Sequence, residues 1–239
     1  MTLPNVQQQA AATTSGVNKL TDALVGDYGW SAATAPQSCG YVTPAVLAIL
    51  RALRVHSVVD LGCGNGQLCS QLRVAGFDAV GVDADEAGIA IARANYPGIH
   101  FYQSGFDGDP KQLLHAEGRR CFDAVVSTEV IEHLFSPQML PRYAWGLLPA
   151  SGYLVMSTPY HGYLKNLMLS VFDKWDHHHT ALWHGGHIKF WSLRTLSQLL
   201  ESNGFMVTGF QGAGRLPLLW KSMIITACRR PADDAGPAP

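Results

Sequence analysis

Short apolar runs alternate with segments of helical spacing through most of the chain. The apolar runs predict strands at Ser57–Leu61, Asp78–Asp83, Ile99–Gln103, Phe122–Ser127 and Tyr153–Ser157. The intervening periodicity predicts helices at 43–53, 67–75, 86–95 and 137–147. Strands separated by helices in this way are typical of a parallel sheet that is covered on both faces.

The C-terminal part of the chain breaks this alternation. Two further apolar runs, 205–210 and 221–228, lie close enough in sequence to pair as antiparallel strands. The predicted fold is therefore a doubly wound, Rossmann-like α/β sheet of seven strands, mostly parallel with one antiparallel strand. Before the first strand, Thr43 is predicted to cap a helix in which Pro44 takes the first helical position.

The two ends of the chain differ from its middle. The first sixteen residues are rich in Gln, Ala and Thr, and the last eleven are polar and contain Pro, so neither end can bury much apolar surface. We predict a disordered segment at 1–16, a helix at 17–25, a single domain over 17–228, and a flexible tail at 229–239.

Composition narrows the function classes. The 239 residues carry 17 Lys+Arg against 18 Asp+Glu, a net charge of −1, which gives no electrostatic footprint for nucleic acid. The five cysteines form no CxxC pair, which is typical of reduced thiols. No signal peptide and no run of roughly 20 apolar residues is present. We predict a cytoplasmic protein without a transmembrane segment or a nucleic-acid partner.

The strongest motif follows the first strand, where the chain reads VVDLGCGNG. Three glycines spaced GxGxG let a ligand approach the main chain without contacting a Cβ atom. A dinucleotide fingerprint would require glycine at the position of Gln67, so the loop suits an uncharged nucleoside with an amino-acid tail better than a pyrophosphate. Asp83 ends the second strand, twenty-one residues after Gly62, where a carboxylate can accept hydrogen bonds from both ribose hydroxyls. Taken alone, each feature would indicate only a turn.

The segments VVDLGCGNG, GVDAD and STEVIEHL, in this order and spacing, resemble the class I S-adenosylmethionine-dependent methyltransferases. The resemblance covers about 43–228. It implies that the methionine part of S-adenosylmethionine is held by Asp60 and the 62–66 loop, the ribose by Asp83, and the adenine by residues beside it and after the third strand. The implied cofactor contacts are Tyr41, Asp60, Gly62, Cys63, Gly64, Gly66, Asp83, Ala84, Gly105, Phe106 and Thr128. Many members carry an Asp after the third strand that binds the adenine amino group, and here Asp107 is the candidate for that role.

The fourth strand leads into Glu129, Glu132 and His133, at positions i, i+3 and i+4. A helix beginning there would put all three side chains on one face, at the carboxyl ends of the strands where doubly wound folds bind ligands. His133 is then a candidate general base, or the three residues are candidate ligands for Mg²⁺. A structural alternative is that the two acids favour a helix N-terminus and His133 is a hydrogen-bonded structural residue. This segment is similar to the one that ubiquinone-biosynthesis O-methyltransferases use, where it is implicated in divalent-metal binding.

A second candidate region follows the fifth strand. Leu164, Leu167, Met168, Val171 and Phe172 recur at helical spacing, and five histidines lie within the eleven residues 177–187. Such an amphipathic stripe is usually core packing. The insertion at 159–191 nevertheless resembles the substrate-covering and membrane-touching segment of the ubiquinone enzymes, and it suits an apolar, aromatic acceptor. His161 and His187 are further candidate bases, whereas the histidine spacing is not that of a zinc site.

The sequence therefore predicts an enzyme that methylates a small hydroxylated aromatic compound or a prenylated phenol on oxygen. An N-methyltransferase of a specialised metabolite is an alternative within the same class. An NAD-dependent oxidoreductase and a cofactor-binding module without catalysis are alternatives from other classes. No nucleophile motif is present, as expected where the donor is itself the electrophile.

Overall fold

The computed structural model describes residues 37–179 and 186–231, apart from the side chain of His177. The predicted segment 1–16, the helix at 17–25 and most of the predicted tail lie outside these residues. The seven strands are β1 Ser57–Leu61, β2 Asp78–Asp83, β3 Phe101–Gln103, β4 Ala124–Thr128, β5 Tyr153–Pro159, β6 Phe205–Ala213 and β7 Ser222–Arg229. The helices are α1 Cys39–Ala52, α2 Gln67–Val74, α3 Glu86–Asn95, α4 Pro110–Ala116, α5 Met139–Leu147, α6 Tyr163–Val171, α7 Trp175–His179 and α8 Leu193–Ser202.

The strands form one sheet in the order β3-β2-β1-β4-β5-β7-β6. Pairing is parallel from β3 to β5, and β7 runs antiparallel to both β5 and β6. The prediction of a mostly parallel, doubly wound sheet with one reversed strand is confirmed. The order reverses next to β1, so the carboxyl ends of β1 and β4 flank a crevice at a topological switch point.

The two faces of the central strands bury different cores. Val59 and Leu61 pack with α5 and α8 residues such as Leu140 and Leu196, whereas Val58 packs on the other face with α1 residues such as Val46. Successive strand residues point to opposite faces, so a strand covered on both sides reads as an uninterrupted apolar run. This burial fixes the strand ends and hence the position of the loops that follow them.

The start of α1 differs from the prediction. The helix begins at Cys39, more than a turn before the predicted start, and Pro44 lies inside it rather than at the first helical position. Val42, Val46 and Leu50 recur every four residues and are all buried. Burial of Val42 therefore extends the helix N-terminal to Pro44, although the proline removes one backbone hydrogen bond.

Helix α4, between β3 and β4, was not predicted. Its start carries a local signal, because the Asp109 carboxylate accepts a hydrogen bond from the backbone N–H of Lys111 at 2.9 Å and Pro110 occupies the first helical position. No helix among the described residues combines the length and apolar character needed to cross a membrane.

Candidate active site

The glycine loop leaves the carboxyl end of β1 and enters α2. Gly62, Gly64 and Gly66 all have positive φ angles, of 84°, 50° and 78°. The backbone N–H groups of Gly62 and Cys63 both donate to the carbonyl of Val82, at 2.8 and 3.1 Å. The loop is thus held against the end of β2 in a conformation that favours glycine.

Close packing adds a second requirement for glycine. A Cβ atom on Gly62 would lie 2.3 Å from a methyl carbon of Val130, and one on Gly66 would lie 2.7 Å from the ring of Phe101. Val130 belongs to the candidate acceptor segment after β4. The glycine loop and that segment are therefore in direct contact.

Asp83 connects three segments at the end of β2. Its carboxylate accepts hydrogen bonds from the backbone N–H of Gly64 at 2.7 Å and from that of Asp85 at 2.9 Å. Its own carbonyl accepts the N–H of Ser104, the first residue after β3, at 2.8 Å. Burial raises the pKa of Asp83, which the backbone hydrogen bonds oppose. Ala84 beside it is exposed, as a residue bordering a ligand would be.

Asp60 lies on β1 and is only 1% exposed. One carboxylate oxygen accepts a hydrogen bond from the thiol of Cys69 at 3.6 Å, and the other has no partner among the described residues. Burial raises the pKa of Asp60 to about 7, and the nearby Asp83 contributes. A buried carboxylate oxygen without a donor is costly unless a bound group supplies one.

The segment after β3 forms the far side of the crevice. Gly105 and Phe106 are half-buried, and the Phe106 ring lies 5.9 Å from that of Tyr143 on α5, centre to centre. The carboxylate of Asp107 lies against Gly105, since a Cβ atom built on that glycine would be 2.7 Å from it. The predicted adenine contacts are therefore close together, and their role stays a prediction.

The predicted helix over Glu129–His133 is wrong. Thr128 ends β4, and Glu129 turns the chain with a positive φ of 56° while its N–H still bonds to Ser157 on β5. Only a single 3₁₀ turn, Ile131–His133, follows. Because Val130 packs against Gly62, the chain leaves the strand at an angle that a continuous helix would not allow. The alternative in which the two acids favour a helix N-terminus fails for the same reason.

Glu129 and Glu132 nevertheless both contact residues at the carboxyl end of β5, and Glu129 also contacts the start of β7. The Glu129 carboxylate accepts hydrogen bonds from the hydroxyls of Ser157 at 2.7 Å and Ser222 at 3.2 Å. Glu132 is fully buried; one of its oxygens accepts from Thr158 at 3.0 Å, and the other has no partner among the described residues. Burial raises the pKa of both carboxyl groups, and Glu129 raises that of Glu132 further.

Three of these side chains meet in one cluster. Glu132, His133 and His187 each place a ligand-type atom within 4.8 Å of the others. The two imidazole rings lie 5.0 Å apart, edge to face. His187 is brought there by its neighbours, because the N–H groups of Ile188 and Lys189 both donate to the carbonyl of Glu132 at 3.0 Å. The grouping pairs His187, rather than the predicted Glu129, with Glu132 and His133.

The remaining predicted residues lie near this cluster but outside it. His161 stacks on His179 with ring centres 5.7 Å apart and meets Phe190 edge to face at 5.2 Å. Burial, followed by Lys165, lowers the pKa of His161 to about 4. Tyr41 lies beside β7, where the ammonium of Lys221 is 5.2 Å from its ring. His184, the fourth of the five histidines in 177–187, lies outside the described residues.

Sequence reasoning missed the partners of the two acids. Ser157, Thr158 and Ser222 hold Glu129 and Glu132, and the buried Lys165 lies close enough to Glu129 to lower its pKa. One signal was available: Lys165 is a cation within the otherwise apolar stripe of α6. The hydroxyl residues carry no such signal, because Ser and Thr within strands are common.

Comparisons with known proteins identify the family of this chain. A family model described as a methyltransferase domain matches residues 38–208. The chain belongs to the methyltransferase domain family. A ubiquinone biosynthesis O-methyltransferase of Ruegeria sp. (strain TM1040) is 30% identical over 172 residues, which are 69% of this chain and 66% of that protein. Its namesake of Roseobacter denitrificans (strain ATCC 33942 / OCh 114) is 38% identical over 105 residues, 42% of this chain and 40% of that protein. The chain thus spans less than two thirds of the length of either relative.

Solved structures show the same fold at low identity. Magnesium protoporphyrin IX methyltransferase from Synechocystis PCC 6803, with bound SAH, has a TM-score of 0.58 and 18% identity, covering 79% of this chain and 82% of that one. The S-adenosylmethionine-dependent methyltransferase SibL has a TM-score of 0.62 and 15% identity, covering 79% and 55%. The prediction of a methyltransferase, made from the resemblance of VVDLGCGNG, GVDAD and STEVIEHL to that class, is confirmed at the level of the family.

Proposed function

We propose that this methyltransferase transfers the methyl group of S-adenosylmethionine to a hydroxyl oxygen of a small hydroxylated aromatic compound or a prenylated phenol. The observation that carries the proposal is the packing of Val130 against Gly62. Val130 lies in the same short segment as Glu132 and His133, so that contact joins the segment that carries the cluster to the predicted cofactor loop. A methyl donor on the loop and a proton acceptor in the cluster would thus face one another.

The chemistry of the crevice fits the cofactor. The amino-acid tail of S-adenosylmethionine carries an ammonium group, and the partnerless oxygen of Asp60 is a buried acceptor for such a donor. Asp83 keeps acceptor capacity beyond its two backbone hydrogen bonds, which suits the ribose hydroxyls. The adenine would lie between Ala84 and the segment with Gly105 and Phe106.

The reaction asks little of the protein beyond placement and proton removal. The sulfonium methyl is already electrophilic, so the chain has to align the acceptor oxygen, exclude water and take the phenolic proton. We assign the proton to His133, with His187 as its neighbour; His161 packs in a separate ring cluster. A general base of this kind contributes typically ~10²–10⁴-fold in rate.

As an alternative to the base role of His133, the cluster suits a divalent metal, because an imidazole bound to a metal cannot also take the phenolic proton. Glu132, His133 and His187 offer one carboxylate oxygen and two imidazole nitrogens, a donor set that favours Zn²⁺, Mn²⁺ or Fe²⁺ over the predicted Mg²⁺, which prefers oxygen ligands. Glu129 would be available as a further oxygen ligand, although two hydroxyls already hold it. A metal bound there would act as a Lewis acid that lowers the pKa of a coordinated acceptor hydroxyl.

The first test addresses the cofactor. Calorimetric titration with S-adenosylmethionine is expected to show binding, and Asp83→Asn is expected to weaken it about 100-fold, since it removes the charged acceptor of several hydrogen bonds. Glu201→Gln, the same carboxyl-to-amide change on the exposed end of α8, is the control. Binding of NADH in place of S-adenosylmethionine would contradict the proposal and favour an oxidoreductase.

The second test addresses the base. His133→Asn is expected to lower kcat about 100-fold with catechol and much less with nitrocatechol, whose hydroxyl is more acidic and needs less help to ionise. His115→Asn, on the exposed face of α4, is the control. An equal loss with both acceptors would show that His133 positions the acceptor without taking its proton. Full activity towards amines with none towards phenols would favour N-methylation.

A further inference from the structure

A second cavity lies beside the acceptor cluster, between α6 and the connection from β6 to β7. Its volume is about 550 Å³. Its walls are mainly apolar, and its polar lining consists of three cations and one imidazole. The lining residues are Lys165, Met168, Leu169, Phe172, Lys174, His178, Arg215, Leu216 and Leu219. We refer to this cavity as the α6 pocket.

The apolar side chains of the α6 pocket are unusually exposed for their size. Phe172, which follows α6, is 59% exposed, and Leu216, in the connection from β6 to β7, is 73% exposed. Large exposed apolar side chains that line an open cavity are typical of a ligand site. An apolar molecule or chain between them would remove both surfaces from water.

Among the described residues, the cations of the α6 pocket form no salt bridge with an acidic side chain. Lys165 is only 6% exposed, and its ammonium makes one long hydrogen bond, 3.4 Å, to the carbonyl of Lys221. Within residues 37–179 and 186–231, neither Lys165, Lys174 nor Arg215 forms a salt bridge. Glu129 is the acidic group that interacts with Lys165, and its carboxylate is already held by Ser157 and Ser222. A buried ammonium with so little compensation is costly, and an anion in the pocket would offset that cost.

We propose that the α6 pocket is a subsite for an acidic acceptor, in which Lys165 and Arg215 bind a carboxylate carried on an apolar body. The inference rests on the proposed function and narrows its substrate class to acidic aromatic or alkyl-substituted phenols. Lys165 links the pocket to the acceptor cluster through Glu129, because it lines the pocket and interacts with Glu129, which in turn interacts with Glu132 of the cluster. An acceptor whose phenol lies at the cluster would place its acidic group in the pocket.

The local electrostatics agree with an anionic ligand. Burial, followed by the nearby Arg215, lowers the pKa of Lys165 to about 8, against the opposing effect of Glu129. Burial and the neighbouring Lys165 lower the pKa of His178, another lining residue, to about 4. The pocket thus disfavours additional positive charge, and a carboxylate is the complementary ligand.

Binding of dodecanoate and dodecanol tests the subsite independently of methyl transfer. The two probes share an apolar chain and differ in charge. Calorimetry is expected to show that the wild-type protein binds the acid about tenfold more tightly than the alcohol, because a charge-assisted contact adds to apolar burial. Arg215→Gln and Lys165→Met are expected to abolish that preference while the alcohol binds as before.

Three further variants and a stability measurement complete the design. Arg215→Lys keeps the charge and is expected to retain most of the preference, whereas Arg194→Gln, on the exposed face of α8, is expected to change nothing. Thermal unfolding identifies any loss of binding that follows from misfolding, and Lys174→Gln measures the contribution of the rim. Equal binding of acid and alcohol by the wild-type protein, or equal loss of both in Arg215→Gln, would overturn the proposal. Binding to phosphatidylglycerol vesicles without any preference for free dodecanoate over dodecanol would also overturn it, because the cations would then contact a lipid surface.

Methyl transfer separates failure of the subsite from failure of the proposed function. Dihydrocaffeate and its methyl ester carry the same phenol and differ in one charge. The wild-type protein is expected to prefer the acid about tenfold in kcat/KM, and Arg215→Gln is expected to equalise the two. Methylation of both without preference would reject the subsite alone. Absence of S-adenosylmethionine binding, or of methylation of any phenol, would reject the proposed function itself.

Discussion

The two halves of the crevice are built differently. On the side that we propose for the cofactor, formed by the ends of β1 and β2, the loop is fixed by backbone hydrogen bonds to Val82 and Asp83, and a Cβ atom on Gly62 or Gly66 would lie within 3 Å of a neighbouring side chain. On the acceptor side, formed by the ends of β4, β5 and β7 together with α6, charged groups are buried and large apolar side chains are exposed. Tyr163 is 83% exposed, for example, while Lys165 beside it is buried.

This difference separates what the two sides recognise. A ligand that is the same for a whole family can be met by backbone groups and tight packing, which tolerate little change. An acceptor that varies between relatives is met by side chains on a helix and loops, which can change without altering the sheet. Stability is therefore expected to depend on the cofactor side and specificity on the acceptor side.

The largest expected effect is that of Gly62→Ala. Its positive φ of 84° disfavours a side chain, and the new Cβ atom would lie 2.3 Å from Val130. Gly76→Ala is the matched control, because its φ is 93° but nothing lies within 4 Å of the added atom. We expect urea unfolding to show a loss of about 1 kcal/mol for the control and about 3 kcal/mol for Gly62→Ala, with loss of cofactor binding.

The double variant Gly62→Ala/Val130→Ala isolates the packing contribution. Removing the methyl groups of Val130 is expected to recover part of the stability that Gly62→Ala loses. If the double variant is no more stable than Gly62→Ala alone, the loop and the acceptor segment are not in contact, and Val130 does not join the two sites.

The conformation of the glycine loop was easier to predict from the sequence than that of the segment after β4. The three glycines and Asp83 form a pattern set by local backbone geometry, and such a pattern can be recognised from spacing alone. The acceptor side depends on contacts between distant segments, such as Glu129 with Ser222 and Glu132 with the backbone at 188–189. The spacing of Glu129, Glu132 and His133 predicted a helix because it took no account of Val130 packing on Gly62.

The acceptor side is expected to sacrifice stability for function at Glu132. Burial raises the pKa of this carboxyl well above its usual range, so its stability contribution falls as the pH rises past the unfolded pKa of about 4.5. Glu132→Gln removes that cost and keeps a hydrogen-bond acceptor for Thr158. We expect it to stabilise the protein by about 2 kcal/mol at pH 7 in urea unfolding while methyl transfer is largely lost.

Ser157→Ala, near the carboxyl end of β5, is the companion control. It removes a hydroxyl that holds Glu129 and is expected to destabilise the protein by about 1 kcal/mol. Destabilisation by Glu132→Gln as well would contradict the interpretation that Glu132 is retained for function rather than for stability.

Acidic pH is expected to affect the acceptor side through its buried imidazoles. Burial lowers the pKa of His161 and His178 to about 4, against 6.5 for the unperturbed group. The unfolded chain therefore binds protons first as the pH falls, and stability that is present above pH 6.5 is lost between pH 6.5 and 4. The raised pKa of Glu132 acts in the opposite direction over the same range, so the wild type has to be compared with His161→Gln. Because these side chains are partly exposed, we expect the wild type to lose up to about 1 kcal/mol more between pH 7 and 5 than His161→Gln does. An equal change in both proteins would contradict the burial of the His161 ring.

The smallest expected effect is a pH dependence of cofactor binding that arises from Asp60. Burial raises the pKa of Asp60 to about 7, so the free protein holds this carboxyl partly protonated at neutral pH. A bound ammonium group would favour the ionised form, and cofactor binding would release a fraction of a proton. We expect the affinity for S-adenosylmethionine to fall severalfold from pH 8 to pH 6, and calorimetry in two buffers of different ionisation enthalpy to detect the released proton.

Asp60→Asn is the reference, because it binds more weakly but keeps any titration that belongs to the ligand. If wild type and Asp60→Asn show the same pH dependence, Asp60 does not meet the ammonium, and its partnerless oxygen has another role. A steeper pH dependence of the affinity in the wild type would support the contact between Asp60 and the ammonium group. The two sides would then differ in their buried carboxylates: Asp60 becomes charged when its ligand binds, whereas Glu132 is buried at a cost to stability.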